Sequence, residues 1–126
     1  RQMCIRDRPT RAFDLAVFVD DDGSAYIYYG GIWGGQLQRW ENGSYDENGS
    51  LKDMGIPENP AILPRIAKLS DDMLEFAEEV KQVKIIDKDG NPILTKDLDR
   101  RFFEAPWIHK HNGKYYLSYS TGDTPF

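Results

Sequence analysis

The stretch Phe13-Asp14-Leu15-Ala16-Val17-Phe18-Val19-Asp20-Asp21-Asp22-Gly23-Ser24-Ala25-Tyr26-Ile27-Tyr28-Tyr29 decides the fold, because it recurs later in the chain. It holds two β-branched and aromatic runs, Ala16-Val17-Phe18-Val19 and Ala25-Tyr26-Ile27-Tyr28-Tyr29, joined across a turn that ends in Asp22-Gly23. An Asp-Gly pair between such runs predicts a β-hairpin, because both of its residues tolerate positive φ. Displaced by 90 positions without a gap, Phe103-Glu104-Ala105-Pro106-Trp107-Ile108 lies over Phe13 to Phe18. In the same frame Asn112-Gly113 lies over Asp22-Gly23, and Tyr115-Tyr116-Leu117-Ser118-Tyr119 over Ala25 to Tyr29. Two copies of strand, tight turn and strand, each followed by further strands, predict an all-β propeller whose blades are small sheets set about an axis. The blade-like repeats start near residues 12 and 102.

Between the repeats, the glycine-rich bend Gly30-Gly31-Ile32-Trp33-Gly34-Gly35 leads to an expected third strand, Gln36-Leu37-Gln38-Arg39-Trp40. Residues 41–64, rich in Gly, Asn, Pro and Ser, read as a long loop. Ile66-Ala67-Lys68-Leu69 reads as a strand, and Ser70-Asp71-Asp72-Met73 as the cap of a helix of one or two turns. Residues 80–86 and 92–95 flank Asp87-Lys88-Asp89-Gly90-Asn91 as another hairpin. A four-stranded blade does not need 90 residues, so the 41–64 loop and the 87–95 hairpin are expected decorations. Residues 1–10 match nothing downstream and read as a non-native or disordered leader. Residues 11–126 then form a partial propeller.

Composition narrows the function. Of 126 residues, Lys+Arg number 16 against Asp+Glu 21, for a net charge of -5. That balance argues against a nucleic-acid partner, which selects clustered Lys and Arg. No apolar run approaches the ~18 residues that span a bilayer, so no membrane partner is expected. Cys4 alone cannot form an internal disulfide or a thiolate metal site. Aromatics make up 13%, with 7 Tyr, 6 Phe and 3 Trp. Such rings serve either sheet cores or flat sugar-stacking surfaces, and composition does not separate the two. Neither compartment nor oligomeric state follows from these residues.

The repeat also makes a chemical point. In the gapless frame Asp14 and Glu104 share one position, at the start of the first strand of their blades. First strands line a propeller's axis, so the two carboxylates are expected to converge on one mouth. Burying an unpaired charge costs several kcal/mol or forces protonation, and a like-charged neighbour raises one carboxyl pKa, as a general acid requires. The alternative is that both carboxylates merely cap strands or pair with Arg65, Arg100 or Arg101, and the residues leave both readings open. His109 and His111 share a strand face without a third ligand and are expected to be simply exposed. Asp20 to Gly23 and Asp87 to Gly90 lack the spacing and closing Glu of a calcium loop and read as turns. The bend at residues 30–35 opens no helix and so is not a phosphate loop.

At these residues the sequence resembles the glycoside hydrolase family 43 enzymes. Phe13 to Gly23 resembles that family's second-blade opening, Phe103 to Leu117 its third-blade opening, and Gly30 to Leu37 adds to the match. The resemblance implies about two blades of a five-bladed β-propeller, closest to its β-xylosidases and α-L-arabinofuranosidases. It implies an inverting glycosidase acting on xylo- or arabino-oligosaccharides of plant cell walls. By the resemblance Glu104 is the general acid and Asp14 the carboxylate that tunes and orients it. Phe13 then packs against the sugar, with Trp33, Phe103 and Trp107 as further candidates for the substrate site. The family has Pro where Leu15 stands. Its base Asp belongs to a first blade upstream, so this segment alone is expected to be inactive. No cofactor or metal is implied within the chain. A structural calcium of the family fold would take ligands from later blades. The alternatives are a non-catalytic carbohydrate-binding propeller and an interaction propeller.

Overall fold

A computed structural model describes residues 13–30 and 57–122. The leader, the expected strand at 36–40, Trp33 and Trp40 lie outside the described residues. Strand β1 (Phe13–Val19) pairs antiparallel with β2 (Ala25–Gly30). Strand β2 pairs on its other side with β3 (Arg65–Lys68), which pairs with the two-residue β4 (Lys81–Gln82). These four form one sheet in the order β1-β2-β3-β4. A second sheet pairs β5 (Glu104–His111) with β6 (Lys114–Ser120). Every described strand pair is antiparallel, and no helix occurs among the described residues.

Alternation along the strands builds the core of the first sheet. Ala25, Ile27 and Tyr29 project to one face of β2, where Ile27 lies opposite Ala67. With Leu69 they form a buried cluster against which Phe76 and Val80 pack. The period of two is what a strand imposes on side chains, so apolar residues at alternate positions gather on one face. Strand β3 takes the side of β2 away from β1.

Two further expectations are corrected. The helix after Ser70 does not form. Ser70 and Asp72 instead hold the backbone in a tight reversal: the Leu74 amide donates to Asp72 Oδ1 and the Glu75 amide to Ser70 Oγ. Met73 takes a φ of 58° there, and Phe76 returns to bridge Leu69. Short polar side chains that satisfy nearby amides compete with a helix in this way. The hairpin at 80–95 also forms only in outline, as β4 and the isolated bridges Ile86↔Pro92 and Pro60↔Leu94. Pro92 has no amide proton to extend a ladder. Its turn is well defined, with the Gly90 amide donating to the Asp87 carbonyl and the Asp87 carboxylate accepting from Asp89 and Asn91.

Candidate active site

Glu104 starts β5 on a buried support. Phe102 and Phe103 precede it at 1% and 6% exposure, and Arg101 is wholly buried with its guanidinium donating to the Gly122 carbonyl. The Phe102 ring meets Tyr119 edge-on at 5.6 Å, and the Tyr119 hydroxyl donates to the Arg100 carbonyl at 2.8 Å. Immediately around Glu104, the Phe103 amide donates to Ser120 O, and Ser120 Oγ donates to the Glu104 carbonyl at 3.0 Å. The backbone on both sides of the carboxylate is thus pinned to β6. The residue that follows, Ala105, has a φ of 54°, and the ladder shifts register between Glu104 and Trp107.

Asp14 sits in the same kind of bulge. The β1–β2 register shifts between Phe13 and Ala16, and Asp14 has a φ of 50°. A positive φ is uncommon outside glycine, and Asp accepts it more readily than Ala. Such conformations concentrate where a side chain must be aimed, and here a carboxylate is carried at each bulge.

The registers correct the expectation that Asp14 and Glu104 share a position. Tyr28 lies opposite Ala16 and Ser118 opposite Trp107, so β2 maps onto β6 at a displacement of 90 but β1 maps onto β5 at 91. Asp14 therefore corresponds to Ala105, and Glu104 to Phe13. The extra residue lies in the turns. Asp20 to Gly23 forms a β-turn closed by the Gly23 amide on Asp20 O, with only Gly23 at positive φ (82°), the three-residue form with a glycine bulge. Asn112 and Gly113, at φ 50° and 72°, make a two-residue type I′ turn between the paired His111 and Lys114. The two turn dipeptides look alike in sequence and adopt different turns.

The two hairpins nevertheless set the strand starts that carry Asp14 and Glu104 away from the joined turn ends of β1 and β5. Strands β1 and β5 pack against each other. At the turn end, Lys110 Nζ lies 2.8 Å from Asp20 Oδ1 and 2.7 Å from Asp21 Oδ2. The Tyr115 hydroxyl donates to Asp20 Oδ2, and the Tyr115 ring meets Phe18 edge-on at 6.1 Å. With their turn ends joined, the strands run in the same direction and their starts fall at the same end. Among the described residues neither Asp14 nor Glu104 is ion-paired: Arg100 pairs with Asp97 and Asp99, and Arg65 donates to Leu63 O. The alternative of structural ion pairs is not realised among these residues.

The other candidates divide. Phe13 has its backbone in β1, while Trp33 lies outside the described residues. Phe103 is buried, so its ring belongs to the core and offers no stacking surface, which corrects the expectation. Trp107 is 60% exposed, on the face of β5 opposite Lys110 and alternate with it. His109, on that same face, stacks on Tyr116 at 5.2 Å and 10°. Among the described residues no group of three or more His, Cys, Asp or Glu is placed to hold a metal ion.

The Lys110 cluster was missed by the sequence reading, which took Asp20 to Gly23 only as a turn. An acidic turn in one repeat and a lysine just before the turn in the next was the available signal. Hydrogen bonds from Lys110 and then Tyr115, with the Asp21 amide, lower the Asp20 pKa from 3.8 to about 2. The same bonds to Asp20 and Asp21 raise that of Lys110.

Residues 2–126 match the profile of the glycosyl hydrolases family 43. A xylosidase/arabinosidase of Bacteroides ovatus is 56% identical over 115 residues, which is 90% of this chain and 34% of the relative. Xylosidase/arabinosidase 43A of Humicola insolens is 55% identical over 119 residues, 91% of this chain and 36% of the relative. The structure superposes with a TM-score of 0.80 on a GH43 beta-xylosidase/alpha-arabinofuranosidase from a compost microbial metagenome, solved with xylotriose. That pair is 60% identical over 93% of this chain and 37% of the other. A GH43_1 enzyme of Xanthomonas citri complexed with xylose gives a TM-score of 0.78 at 46% identity, over 93% of this chain and 36% of that one. The chain thus spans about a third of the length of the relatives it matches. These structural neighbours are five-bladed β-propellers, so the all-β, partial-propeller fold holds.

Proposed function

The chain belongs to glycosyl hydrolase family 43, and on that premise we propose that it carries the general acid and its partner carboxylate of an inverting glycosidase. The substrates are xylosidic or arabinosidic bonds in plant cell-wall oligosaccharides. The observation that carries this reading is the placement of Asp14 and Glu104, unpaired among the described residues, at bulged starts of two adjacent strands that run together. The names of the relatives and the xylotriose and xylose complexes of the neighbours support the substrate class.

In this reading Glu104 donates its proton to the glycosidic oxygen as the C1–O bond breaks, so the leaving sugar departs as a neutral alcohol. Asp14 holds the acid and the sugar in place and tunes the acid's proton affinity. A water, activated by an Asp base from another blade, attacks C1 from the opposite face. Acid and base then stand about 6.5–9.5 Å apart, with room for that water. Phe13 packs against the sugar in the cleaved subsite, with Trp33 and Trp107 as further candidates to line it.

The test is Glu104→Gln in a complete propeller, made by exchanging this chain for the matching segment of the Bacteroides ovatus relative. Loss of general-acid help is expected to cut turnover of xylobiose by about 10²–10⁴-fold. Aryl xylosides whose leaving groups need no proton should retain most of their rate. Unchanged turnover of xylobiose would remove Glu104 from the role.

A further inference from the structure

The two hairpins belong to separate sheets. No backbone ladder fixes their mutual angle, so side chains do. The Phe18 ring meets Tyr115 edge-on across the contact, and Tyr28 and Pro106 are buried while Ala16 and Ile108 are half-buried. Apolar contacts hold surfaces together without fixing their register. Directional bonds come at the turn end. Lys110, only 24% exposed, reaches both Asp20 and Asp21 and lies 4.9 Å above the Tyr115 ring, whose hydroxyl takes the other Asp20 oxygen.

We propose that Lys110, bonded to Asp20 and Asp21 and backed by Tyr115, is a positioning residue that sets the separation of Asp14 from Glu104. The inference rests on the acid reading given above. It works by leverage. The cluster joins β1 and β5 at their far ends, six residues from Asp14 along β1, or roughly 20 Å at the rise of a strand. A tilt of about 5° there displaces the carboxylates by about 2 Å, and misplacement by about 1 Å can cost 10²-fold in rate.

The experiment compares Lys110→Met with the parent in the same exchanged propeller, using xylobiose and a dinitrophenyl xyloside. A displaced Asp14–Glu104 pair impairs proton donation, so kcat on xylobiose should fall about 10²-fold with KM nearly unchanged. On the dinitrophenyl substrate, which needs no proton, kcat should change by less than about twofold. Lys110→Arg, whose guanidinium can reach both aspartates, should restore most of the xylobiose rate. In a Glu104→Gln background Lys110→Met should add no further loss on xylobiose. Equal losses on both substrates would make Lys110 a purely structural residue and overturn the inference, as would no loss on either. Failure of the acid reading shows separately, as retained xylobiose turnover in Glu104→Gln alone. If Lys110→Met does not fold, Tyr115→Phe, which deletes a single hydroxyl, should show the same substrate-selective loss at about two- to threefold.

Discussion

The hairpins β1–β2 and β5–β6 follow the same path with one residue of difference. Each begins in a bulge with a non-glycine residue at positive φ, and each continues in register after it. The first closes through a three-residue turn with a glycine bulge, the second through Asn112-Gly113 alone. That difference slides one strand past the repeat by a single step. Asp14 is therefore carried on the positive-φ residue itself, while Glu104 stands one residue earlier, still paired opposite Ser120. A longer side chain one step back and a shorter one on the bulge are two ways to present a carboxylate at one mouth. The different roles proposed for the two acids can be tested against this difference in presentation.

The sharpest way to break this comparison is to move the second carboxylate to the first one's structural position. Glu104→Ala with Ala105→Asp, in the exchanged propeller, places an Asp where Asp14 sits in the other hairpin. If presentation decides the role, the double variant stays as poor on xylobiose as Glu104→Ala, a loss of about 10²–10⁴-fold. Recovery to within tenfold of the parent would mean that any carboxylate at the bulge can act as the acid. Steady-state turnover on xylobiose reads the outcome.

Much of this was legible in the sequence. The aromatic and β-branched runs Ala25-Tyr26-Ile27-Tyr28-Tyr29 and Tyr115 to Tyr119, each following an Asp-Gly or Asn-Gly turn, mark strands directly. The two carboxylates were legible because they recur ahead of matching apolar runs. The single-residue slip was not, since Asp22-Gly23 and Asn112-Gly113 are the same kind of turn dipeptide, and only the backbone φ and hydrogen-bond closure tell their turns apart. Ser70 to Met73 misled because a helix cap and a self-satisfied polar turn use the same residues. The Lys110 cluster was hard to read because it joins residues 90 positions apart, and its one signal, an acidic turn in one repeat and a lysine before the turn in the next, points to a pairing only once the hairpins are packed.

The bulges themselves supply a smaller test. Ala105 and Asp14 have nearly the same φ, but Ala has no local hydrogen bond to offset the strain. Ala105→Gly should therefore stabilise the complete propeller by about 0.5–1 kcal/mol, net of the greater freedom glycine brings to the unfolded chain. At the turns the reverse change is unfavourable. A Cβ added at Gly23 or Gly113 meets open space, so the cost of Gly→Ala there is conformational alone, about 1 kcal/mol at each. Urea unfolding midpoints for the three variants check the signs. Stabilisation by Gly113→Ala would contradict the turn geometry, and destabilisation by Ala105→Gly would contradict the bulge.

The least change is expected where the hairpins are joined by charge. Asp20 has its pKa lowered to about 2, so its bond to Lys110 contributes fully above the ordinary aspartate value of 3.8 and is lost as pH falls through about 2. Lys110 is shifted the other way, so its contribution is complete below the ordinary lysine value of 10.5 and is lost only as pH rises beyond it. The Tyr115 hydroxyl, bonded to Asp20, is also raised and keeps its proton through the same range. The junction should therefore be constant between about pH 4 and pH 10. Thermal unfolding of the parent and of Asp20→Asn should differ by the same amount across that range and converge only toward about pH 2. A difference that varied within that range would contradict the assignment of the junction to Asp20 and Lys110.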